Sequence, residues 1–457
     1  MSRALAEAIV DLLGFSEATS NRPGVLQGFD RREWDGTLTW LHDAGLALHL
    51  LQQLKDTNAT DVLPASIWAH LEENQAANRE RVAYMARRFD FINQHFNRGG
   101  VRYAVVKGCS LVPQFCPDAS LRHQGDFDYL VDSHSLPMAQ RVLESAGYSL
   151  KKRTANEFVY LMPSVSVPPS ADGQYEAQAP HAVELRLAFW DSQSHSVPLT
   201  DPGFSVDNAV VQRWQGLVFP ALPDEDAFLV QVIHVFNHIL TGWARMSWLY
   251  EIGYFFNRRS TDVSLWERLD RRIGGDKLLR EMVVAIGELS AHLFKAPLPS
   301  TSWIWTEKLR PAIQIWIHHY ARTWLFEDTR ADQFSLFPVA KLALFFHLQY
   351  LPDARVRRHV IRTRLFPVEK LFQRVHSITS RSLTSKSSIQ SGGRGWQLER
   401  ALIRLVFHLT GGLCCLWEIP RWQRLNKGNA HLPPFISREP SATDVAAAPA
   451  TESTIRL

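Results

Sequence analysis

The spacing of hydrophobic residues changes twice along the chain, and this limits the fold more than any other feature of the sequence. In residues 1–98 the hydrophobic residues recur with a helical period. Residues 99–200 instead contain short β-rich runs, among them VRYAVVKG, FDYLVD, EFVYLM and AVELRLAFW. Helical spacing returns at about Leu222 and lasts to about Gln373. The pattern predicts an α+β fold, with a small sheet set among large helical regions.

Turn and linker signals divide the chain further. Asn97-Arg98-Gly99-Gly100 predicts the end of a helix that starts near Glu73, and a Ser/Gly-rich stretch predicts a linker. We therefore predict an N-terminal helical region at 1–98, an α/β core at 99–221, a C-terminal helical domain at 222–376, a flexible linker at 377–395, a basic amphipathic helix region at 396–427 and a disordered tail at 428–457. The Pro/Ser/Ala-rich residues 163–180 predict a loop within the core.

Cysteine usage and hydropathy indicate the compartment. The 457 residues include only four cysteines, which do not form a disulfide framework and favour a reducing cytosol. The amphipathic N-terminus lacks the uninterrupted apolar centre of a signal peptide, and no stretch of the sequence reaches the length of a membrane span. We expect a cytoplasmic protein, with peripheral membrane association as a further prediction.

Charge is unevenly distributed. The formal net charge is +4, but residues 353–427 hold 15 Lys/Arg against 4 Asp/Glu, which leaves the rest of the chain acidic. A basic C-terminal segment of this kind predicts contact with RNA or an anionic membrane surface. The alternative is a solvated basic face that docks on the acidic body of the same chain.

The segment VRYAVVKGCSLVPQFCPDASLRHQGDFDYLVD carries the candidate chemistry. Its first strand ends at Gly108, followed by Ser110, and a glycine there lets backbone N–H groups approach a triphosphate. Asp126 and Asp128 alternate with Phe127 in a second strand, so their side chains share one face. Two such carboxylates repel each other unless a cation lies between them, and Mg²⁺ prefers hard oxygen ligands. We expect both to be solvated, so that neither stabilises the fold.

A third acid, Glu184, lies in the later strand AVELRL. It could complete a metal site or act as a base on an attacking hydroxyl. Each part of this set is weakly specific alone, since a D-x-D pair in a strand is often a solvated face. The ordered set of strand, Gly, x, Ser, then Arg122, D-x-D and a flanked Glu is more specific.

This ordered set resembles the uncharacterised nucleotidyltransferases, a branch of the polymerase-β-like superfamily, over roughly residues 35–260. The matches are Lys107, Gly108, Arg122, Asp126, Asp128 and Glu184. The chain departs from the pattern at Gly108-Cys109, where the usual serine comes one position later as Ser110. It departs again at Glu184-Leu185-Arg186, where relatives commonly carry Asp-Leu-His.

The resemblance implies a small mixed-sheet core and a Mg²⁺- or Mn²⁺-dependent enzyme. Such an enzyme transfers a nucleoside monophosphate from an NTP to a hydroxyl and releases pyrophosphate. Asp126, Asp128 and Glu184 would hold metal, with Glu184 also activating the acceptor. Lys107, Gly108, Ser110 and Arg122 would bind the phosphates. The acceptor, whether a small molecule, sugar, peptide, protein or RNA, is left open. The alternative is a non-catalytic nucleotide-binding or scaffold component of a biosynthetic or membrane-associated assembly.

Other residues allow further interpretations. His234 and His238 stand one helical turn apart, which favours core or substrate-facing histidines over a zinc site because the H-E-x-x-H glutamate is absent. His238 could also contact the nucleotide, as could Arg245, Trp248 and Glu251. Cys109 is better explained by packing than as a nucleophile. Lys107 could bind phosphate or form a salt bridge with Asp126.

Overall fold

The computed structural model describes residues 1–16, 23–162, 173–177, 181–300, 303–306, 308–326, 339–365 and 394–428. Within these ranges every helix is too short or too polar to span a lipid bilayer.

Four α-helices precede the sheet in the described residues. They are α1 (Arg3–Leu12), α2 (Arg31–Asp43), α3 (Ala47–Asp56) and α4 (Ala65–Arg98). The glycine between α2 and α3, Gly45, has a φ of +74°, and a Cβ there would lie 2.5 Å from the Ser247 hydroxyl oxygen. The backbone turn at this glycine separates two helices where the sequence pattern shows one run of apolar residues.

The described part of the α/β region contains seven strands and two α-helices. They are β1 (Tyr103–Val105), β2 (Asp126–Val131), α5 (Leu136–Ser145), β3 (Ser149–Arg153), β4 (Glu157–Leu161), β5 (Ala182–Arg186), the short α6 (Ser192–His195), β6 (Val210–Trp214) and β7 (Leu217–Ala221). The strand order is β3-β4-β5-β2-β1-β7-β6. Strands β2 and β5 are parallel, as are β1 and β7, and the remaining pairs are antiparallel. The sheet is therefore mixed.

Helices also form the rest of the described chain. They are α7 (Asp224–Thr241), α8 (Met246–Arg259), α9 (Val263–Ile273), α10 (Lys277–Phe294), α11 (Pro311–Trp316), a π-helical turn (Ile317–Ala321), α12 (Arg322–Leu325), α13 (Ala343–His347), α14 (Ala354–Leu365) and α15 (Arg394–Gly428). One large hydrophobic core joins α1–α3 to these helices. The helical regions on either side of the sheet thus pack together, and the α+β class is confirmed.

The sheet lies between two cores that use opposite faces of the same strands. Phe127 and Tyr129 of β2 pack with Phe89 and Phe96 of α4 in the smaller core. Leu130, on the other face of β2, belongs to the larger helical core. Since side chains alternate along a strand, Asp126 and Asp128 also point toward the helical body. The candidate acids therefore lie where the sheet faces α7 and α8.

Helix α4 differs from its predicted start. It begins at Ala65, after Pro64 at its N-cap, although the apolar stripe is clear only from about Glu73. Its earlier turns place Ile67 and Leu71 in the larger helical core, whereas the stripe from Val82 onward packs in the smaller core against the sheet. Its predicted end is confirmed, since the helix stops at Arg98 and Gly100 takes a φ of +65°.

The hairpin β6–β7 and strand β3 were not predicted. The hairpin turns at Gln215 and Gly216, with φ values of +47° and +80°. Strand β3 reads SLKKR and is mostly exposed at the sheet edge, so it lacks the alternation of a half-buried strand. The predicted linker at 377–395 lies outside the described residues except for its last two, which begin α15. The predicted tail beyond residue 428 and most of the predicted loop at 163–180 also lie outside them.

Candidate active site

A cavity of about 450 Å³ opens between the sheet and helices α7 and α8. This volume is typical of small-molecule sites. Among its lining residues are the sequence-predicted Lys107, Gly108, Arg122, Asp126 and Glu184. Five of the seven predicted site residues thus meet at one cavity, although they come from three separate parts of the chain.

The three predicted acids lie on adjacent parallel strands. Asp128 of β2 is in register with Glu184 of β5, and Asp126 is in register with Ala182. Asp126 is half-buried and borders the cavity. The Asp128 side chain is only 1% exposed, so the expectation that it is solvated is wrong. It lies beneath the cavity floor, because the strand face on which it sits is covered by two cationic side chains.

Lys107 and Arg186 supply that cover. Lys107 Nζ lies 2.8 Å from Asp128 Oδ1, so its ion-pair partner is Asp128, whereas the sequence suggested Asp126. Arg186 contacts Asp128 at 3.6 Å and Glu157 at 2.8 Å, and it also donates to Glu184. Three carboxylates therefore converge on one guanidinium. The sequence indicated this residue only as a departure from the family pattern, yet its alternation with Glu184 along β5 already placed both on one face.

Burial and the neighbouring cations shift the pKa values of the carboxylates in this cluster in opposite directions. Burial raises the pKa of Asp128, and repulsion from Asp126 and Glu184 adds to the rise, while Lys107 and Arg186 oppose it. For Glu184 burial also raises the pKa, but Arg186 and Lys107 outweigh it and hold the pKa below its ordinary value. Burial and repulsion from Arg186 lower the pKa of Lys107, but Asp128, Asp126 and Glu184 together outweigh them and raise it. Glu184 is thus an ionised carboxylate, and Lys107 is an ammonium.

The loop after β1 approaches the cavity through its backbone. Lys107 precedes a 3₁₀ turn at Gly108–Leu111, and Gly108 takes a φ of +68°. A Cβ on Gly108 would lie 2.4 Å from Gln124 Nε2, so no larger residue fits without movement. The Ser110 hydroxyl donates to the Lys107 carbonyl at 3.2 Å, and Ser110 is not among the residues that line the cavity. Its predicted phosphate contact therefore needs the loop to change shape.

The neighbouring Cys109 is a packing residue. It is 1% exposed, and burial raises the pKa of its thiol to about 12. Such a thiol stays protonated at neutral pH and is a poor nucleophile.

Helix α4 positions the segment that leads into β2. Asn78 donates to the carbonyl oxygens of Ser120 and Arg122, at 2.7 and 3.1 Å. Arg81, 1% exposed, donates to the Gln124 carbonyl at 2.9 Å. These buried polar groups hold the backbone that carries Arg122 and Asp126. In the sequence they are ordinary polar residues of an amphipathic helix, and nothing marked them.

Arg122 is held by a buried partner. Its Nε lies 3.0 Å from Glu251 Oε1, with the two side chains 13% and 2% exposed. Burial lowers the pKa of Arg122, but Glu251 more than compensates and raises it. Arg122 lines the cavity and Glu251 does not. Glu251 therefore orients Arg122, and the suggested contact between Glu251 and a nucleotide has no support from its position.

Aromatic side chains from α7 and α8 form another wall. The ring of Trp248 lies 4.4 Å from His234, 4.6 Å from His238 and 5.3 Å from Trp243. All four residues line the cavity, as do Asn237 and Arg245. Burial lowers the pKa of His234 and lowers that of His238 to about 3, so both imidazoles are neutral at physiological pH.

Two polar atoms in this wall lack partners among the residues that the structure describes. They are His238 Nδ1 and Asn237 Oδ1. A buried polar atom without a hydrogen bond is costly, so this wall favours a ligand that carries both a flat ring and hydrogen-bonding groups. Trp243 and Asn237 were missed in the sequence, where they lack a motif and differ from core residues only by their position around the cavity.

No group of three His, Cys, Asp or Glu side chains stands arranged to hold a metal ion in the described part of the chain. The rings of His234 and His238 lie 4.5 Å apart in the aromatic wall. Of the three predicted acids, Asp128 is engaged by Lys107 and Glu184 by Arg186.

Comparison with known proteins adds one finding to this geometry. A family model described as "Uncharacterised nucleotidyltransferase" matches residues 30–295, a range that contains the sheet, the cavity and helices α2–α10. No curated protein and no solved structure matches the chain.

Proposed function

The chain belongs to the uncharacterised nucleotidyltransferase family, and from that premise we propose that it transfers a nucleoside monophosphate from an NTP to a hydroxyl acceptor, with a polymerase-β-like core and Mg²⁺ or Mn²⁺. One observation carries the proposal. Asp126, Glu184, Lys107, Arg122 and the Gly108 turn all border a single cavity. Family membership supports nucleotidyl transfer in general, and the convergence of these residues supports the specific reaction.

The carboxylates fit a divalent cation by their chemistry. Within the described residues, the Asp126 carboxylate makes no hydrogen bond or ion pair, although it borders the cavity near the cations Lys107 and Arg122. Hard carboxylate oxygens are the ligands that Mg²⁺ and Mn²⁺ accept. Asp128 and Glu184 could join Asp126 only if Arg186 and Lys107 release them. When bound, the metal would neutralise phosphate charge and polarise the reacting phosphate.

The remaining side chains divide the other tasks. Backbone N–H groups of the Gly108 turn can approach the triphosphate closely, because Gly108 has no side chain there. Lys107 and Arg122 would neutralise the charge that develops on the leaving pyrophosphate, and electrostatic stabilisation of that kind is the main source of rate in phosphoryl chemistry. The aromatic wall formed by His234, His238, Trp243 and Trp248 suits stacking of the nucleobase.

The reaction itself needs one proton acceptor. The acceptor hydroxyl oxygen forms a bond to the α-phosphorus, and the bond from that phosphorus to the oxygen bridging to the β-phosphate breaks. Pyrophosphate leaves with the electron pair. The hydroxyl proton passes to Glu184, which is an ionised carboxylate and becomes more basic when Arg186 and Lys107, the cations that lower its pKa, release it.

The proposed reaction is tested by following a labelled phosphate of the NTP. The full chain is incubated with cell extract, Mg²⁺ and each NTP labelled at either the α- or the γ-phosphate. We expect label from the α-phosphate alone to enter an acceptor. Asp126→Asn should abolish transfer and metal-dependent NTP binding without loss of stability, since this carboxylate makes no bond in the fold. The matched control is Asp207→Asn, an exposed acid that pairs with Arg102 away from the cavity.

Other results would redirect the proposal. Transfer of the γ-label would mean phosphoryl transfer. Tight NTP binding without transfer from any NTP would favour the non-catalytic nucleotide-binding or scaffold role. If Asp126→Asn behaves like Asp207→Asn in both assays, the carboxylates are not the site.

A further inference from the structure

Helix α15 carries an exposed apolar stripe. It consists of Leu409, Leu413, Leu416 and Trp417, whose exposed fractions are 45%, 65%, 47% and 84%. Their spacing of four, three and one residues places them on one side of a helix. Contiguous exposed apolar residues of this size are uncommon in soluble proteins unless they meet a partner.

The opposite side of α15 fixes the helix to the body. Trp422 stacks on Phe345 with ring centroids 4.8 Å apart and planes at 6°. Cys415 is 3% exposed within the large core, and the Tyr320 hydroxyl donates to Glu418 at 3.3 Å. Because these contacts hold one side of the helix against α13 and its neighbours, the apolar stripe is directed away from the protein.

Cations follow the stripe along α15 and also occur on the neighbouring helix α14. Arg421, Arg424 and Lys427 are exposed on the next turns of α15. Helix α14 packs against α15, and its exposed Arg355, Arg358 and Arg362 lie on one side of that helix. The acidic residue nearest the stripe, Glu418, is engaged by Tyr320 and by Arg421 at 3.7 Å. The turns of α15 that follow the stripe are therefore basic, as is the exposed side of α14.

We propose that the stripe Leu409, Leu413, Leu416 and Trp417 docks on an anionic lipid surface. Helices that lie in the membrane interface combine an apolar face, often with tryptophan, and basic residues that meet acidic headgroups. The stripe enters the boundary between headgroups and acyl chains, while the arginines and Lys427 contact lipid phosphates.

The chemistry of the stripe decides against two other occupants. An RNA backbone gains nothing from three leucines, which neither stack on bases nor bind phosphate. A second copy of this face would bring two basic surfaces together, and like charges oppose that contact. This inference does not depend on the proposed reaction, since α15 lies outside the residues that the family model covers.

The experiment is flotation of the full chain with vesicles of phosphatidylcholine, or of phosphatidylcholine with phosphatidylglycerol. We expect partition into the anionic vesicles only, and a loss of binding as salt rises from about 0.1 to about 1 M, where the screening length falls from about 10 to about 3 Å. Leu413→Glu with Trp417→Glu should lower partition at least tenfold. Each of Arg421→Gln and Arg424→Gln should lower it about fivefold.

The matched control is Val211→Glu, because Val211 is 72% exposed on the β6–β7 hairpin, away from α15. It should bind vesicles like the wild type. Circular dichroism and the thermal midpoint check that all variants remain folded. The proposal fails if the stripe variant floats as well as the control, if the wild type does not float with anionic vesicles at low salt, or if single-stranded RNA is bound in place of vesicles and stripe substitutions weaken that binding.

Discussion

Arg186 holds the position of a cation among the site carboxylates, so its removal should make the cavity bind divalent cations more tightly. We expect Arg186→Met to bind Mn²⁺ at least ten times more tightly than the wild type. The physical reason is that methionine keeps much of the side-chain volume but removes the positive charge that contacts Asp128, Glu157 and Glu184. A divalent cation then no longer competes with a guanidinium for the same oxygens.

The distances from Arg186 to its carboxylate partners give the size of the attraction that the substitution removes. Contacts of 3.6 Å to Asp128 and 2.8 Å to Glu157 correspond to gross attractions of about 5 and 6 kcal/mol at an effective dielectric constant of about 20. Desolvation offsets most of this attraction, and removing one partner of a buried pair costs about 3–5 kcal/mol. Without metal, Arg186→Met should therefore unfold at a lower temperature, by about 2–4 °C for each kcal/mol lost. A tenfold gain in affinity corresponds to about 1.4 kcal/mol, a small part of the repulsion relieved.

Two measurements check this expectation. Electron paramagnetic resonance gives the free Mn²⁺ and hence the dissociation constant without any need for activity. Thermal unfolding should show Mn²⁺ stabilising Arg186→Met by about 2.7 kcal/mol when the metal stands about 100-fold above the variant's dissociation constant, whereas the wild type, which binds about ten times more weakly, should gain only about 1.4 kcal/mol. The control is Arg272→Met, which removes a similar partner from a 2% exposed acid, Asp226, away from the cavity. Equal Mn²⁺ affinities for Arg186→Met and the wild type would refute the reasoning.

Three further expectations follow from the buried groups around the cavity. Glu251→Gln should lower the free energy of unfolding by about 3 kcal/mol, because Arg122 loses a partner that is 2% exposed. The control Glu225→Gln should lower it by under about 1 kcal/mol, because the partner Arg268 is 39% exposed. Urea unfolding measures both changes. Trp248→Ala should raise the KM for NTP about tenfold and leave kcat unchanged, and a fall in kcat alone would contradict base stacking. Burial, followed by repulsion from Arg122, lowers the pKa of His49 from 6.5 to about 3. The folded protein therefore favours the neutral imidazole. This contribution to the free energy of unfolding is complete above pH 6.5 and is lost as the pH falls toward 3. His49→Gln should therefore flatten the decline of stability below pH 6.5 by about 1.4 kcal/mol per pH unit, and an unchanged slope in urea titrations would contradict this.

Local patterns predicted those parts of the fold whose burial is one-sided. The stripe Val82, Met85, Phe89, Ile92 and Phe96 is buried in α4, and β2 and β5 alternate as the sequence showed. Strand β3 was not predicted because an exposed edge strand needs no alternation of apolar and polar residues. The β6–β7 hairpin did leave a signal in Gln215-Gly216 between two β-rich runs, since both residues take positive φ in a two-residue turn.

The predicted site residues belong to motifs, and the missed ones act through distant contacts. Asp126 and Glu184 could be paired in advance because strand alternation sets their face, although their shared cavity depends on the parallel pairing of β2 and β5. Nothing local could show that Asp128 is buried, because Lys107 and Arg186 cover it from other strands. Glu251 stands 129 positions from Arg122, so the ion pair that orients Arg122 exists only in the folded chain.

The cations and acids of the site stabilise each other without a metal, and this has a consequence for how the site would work. Glu184 pairs with Arg186, and Asp128 with Lys107, so the fold can assemble closely spaced carboxylates that would otherwise repel. Asp126 also borders the cavity, and its carboxylate makes no hydrogen bond or ion pair within the described residues. A nucleotide that arrives with its divalent cation brings both the positive charge that can replace Arg186 and the phosphates that Lys107 and Arg186 can then bind. Cation exchange at Glu184 would couple substrate binding to the assembly of the catalytic carboxylates, which is why Arg186 is the residue whose substitution separates metal affinity from fold stability.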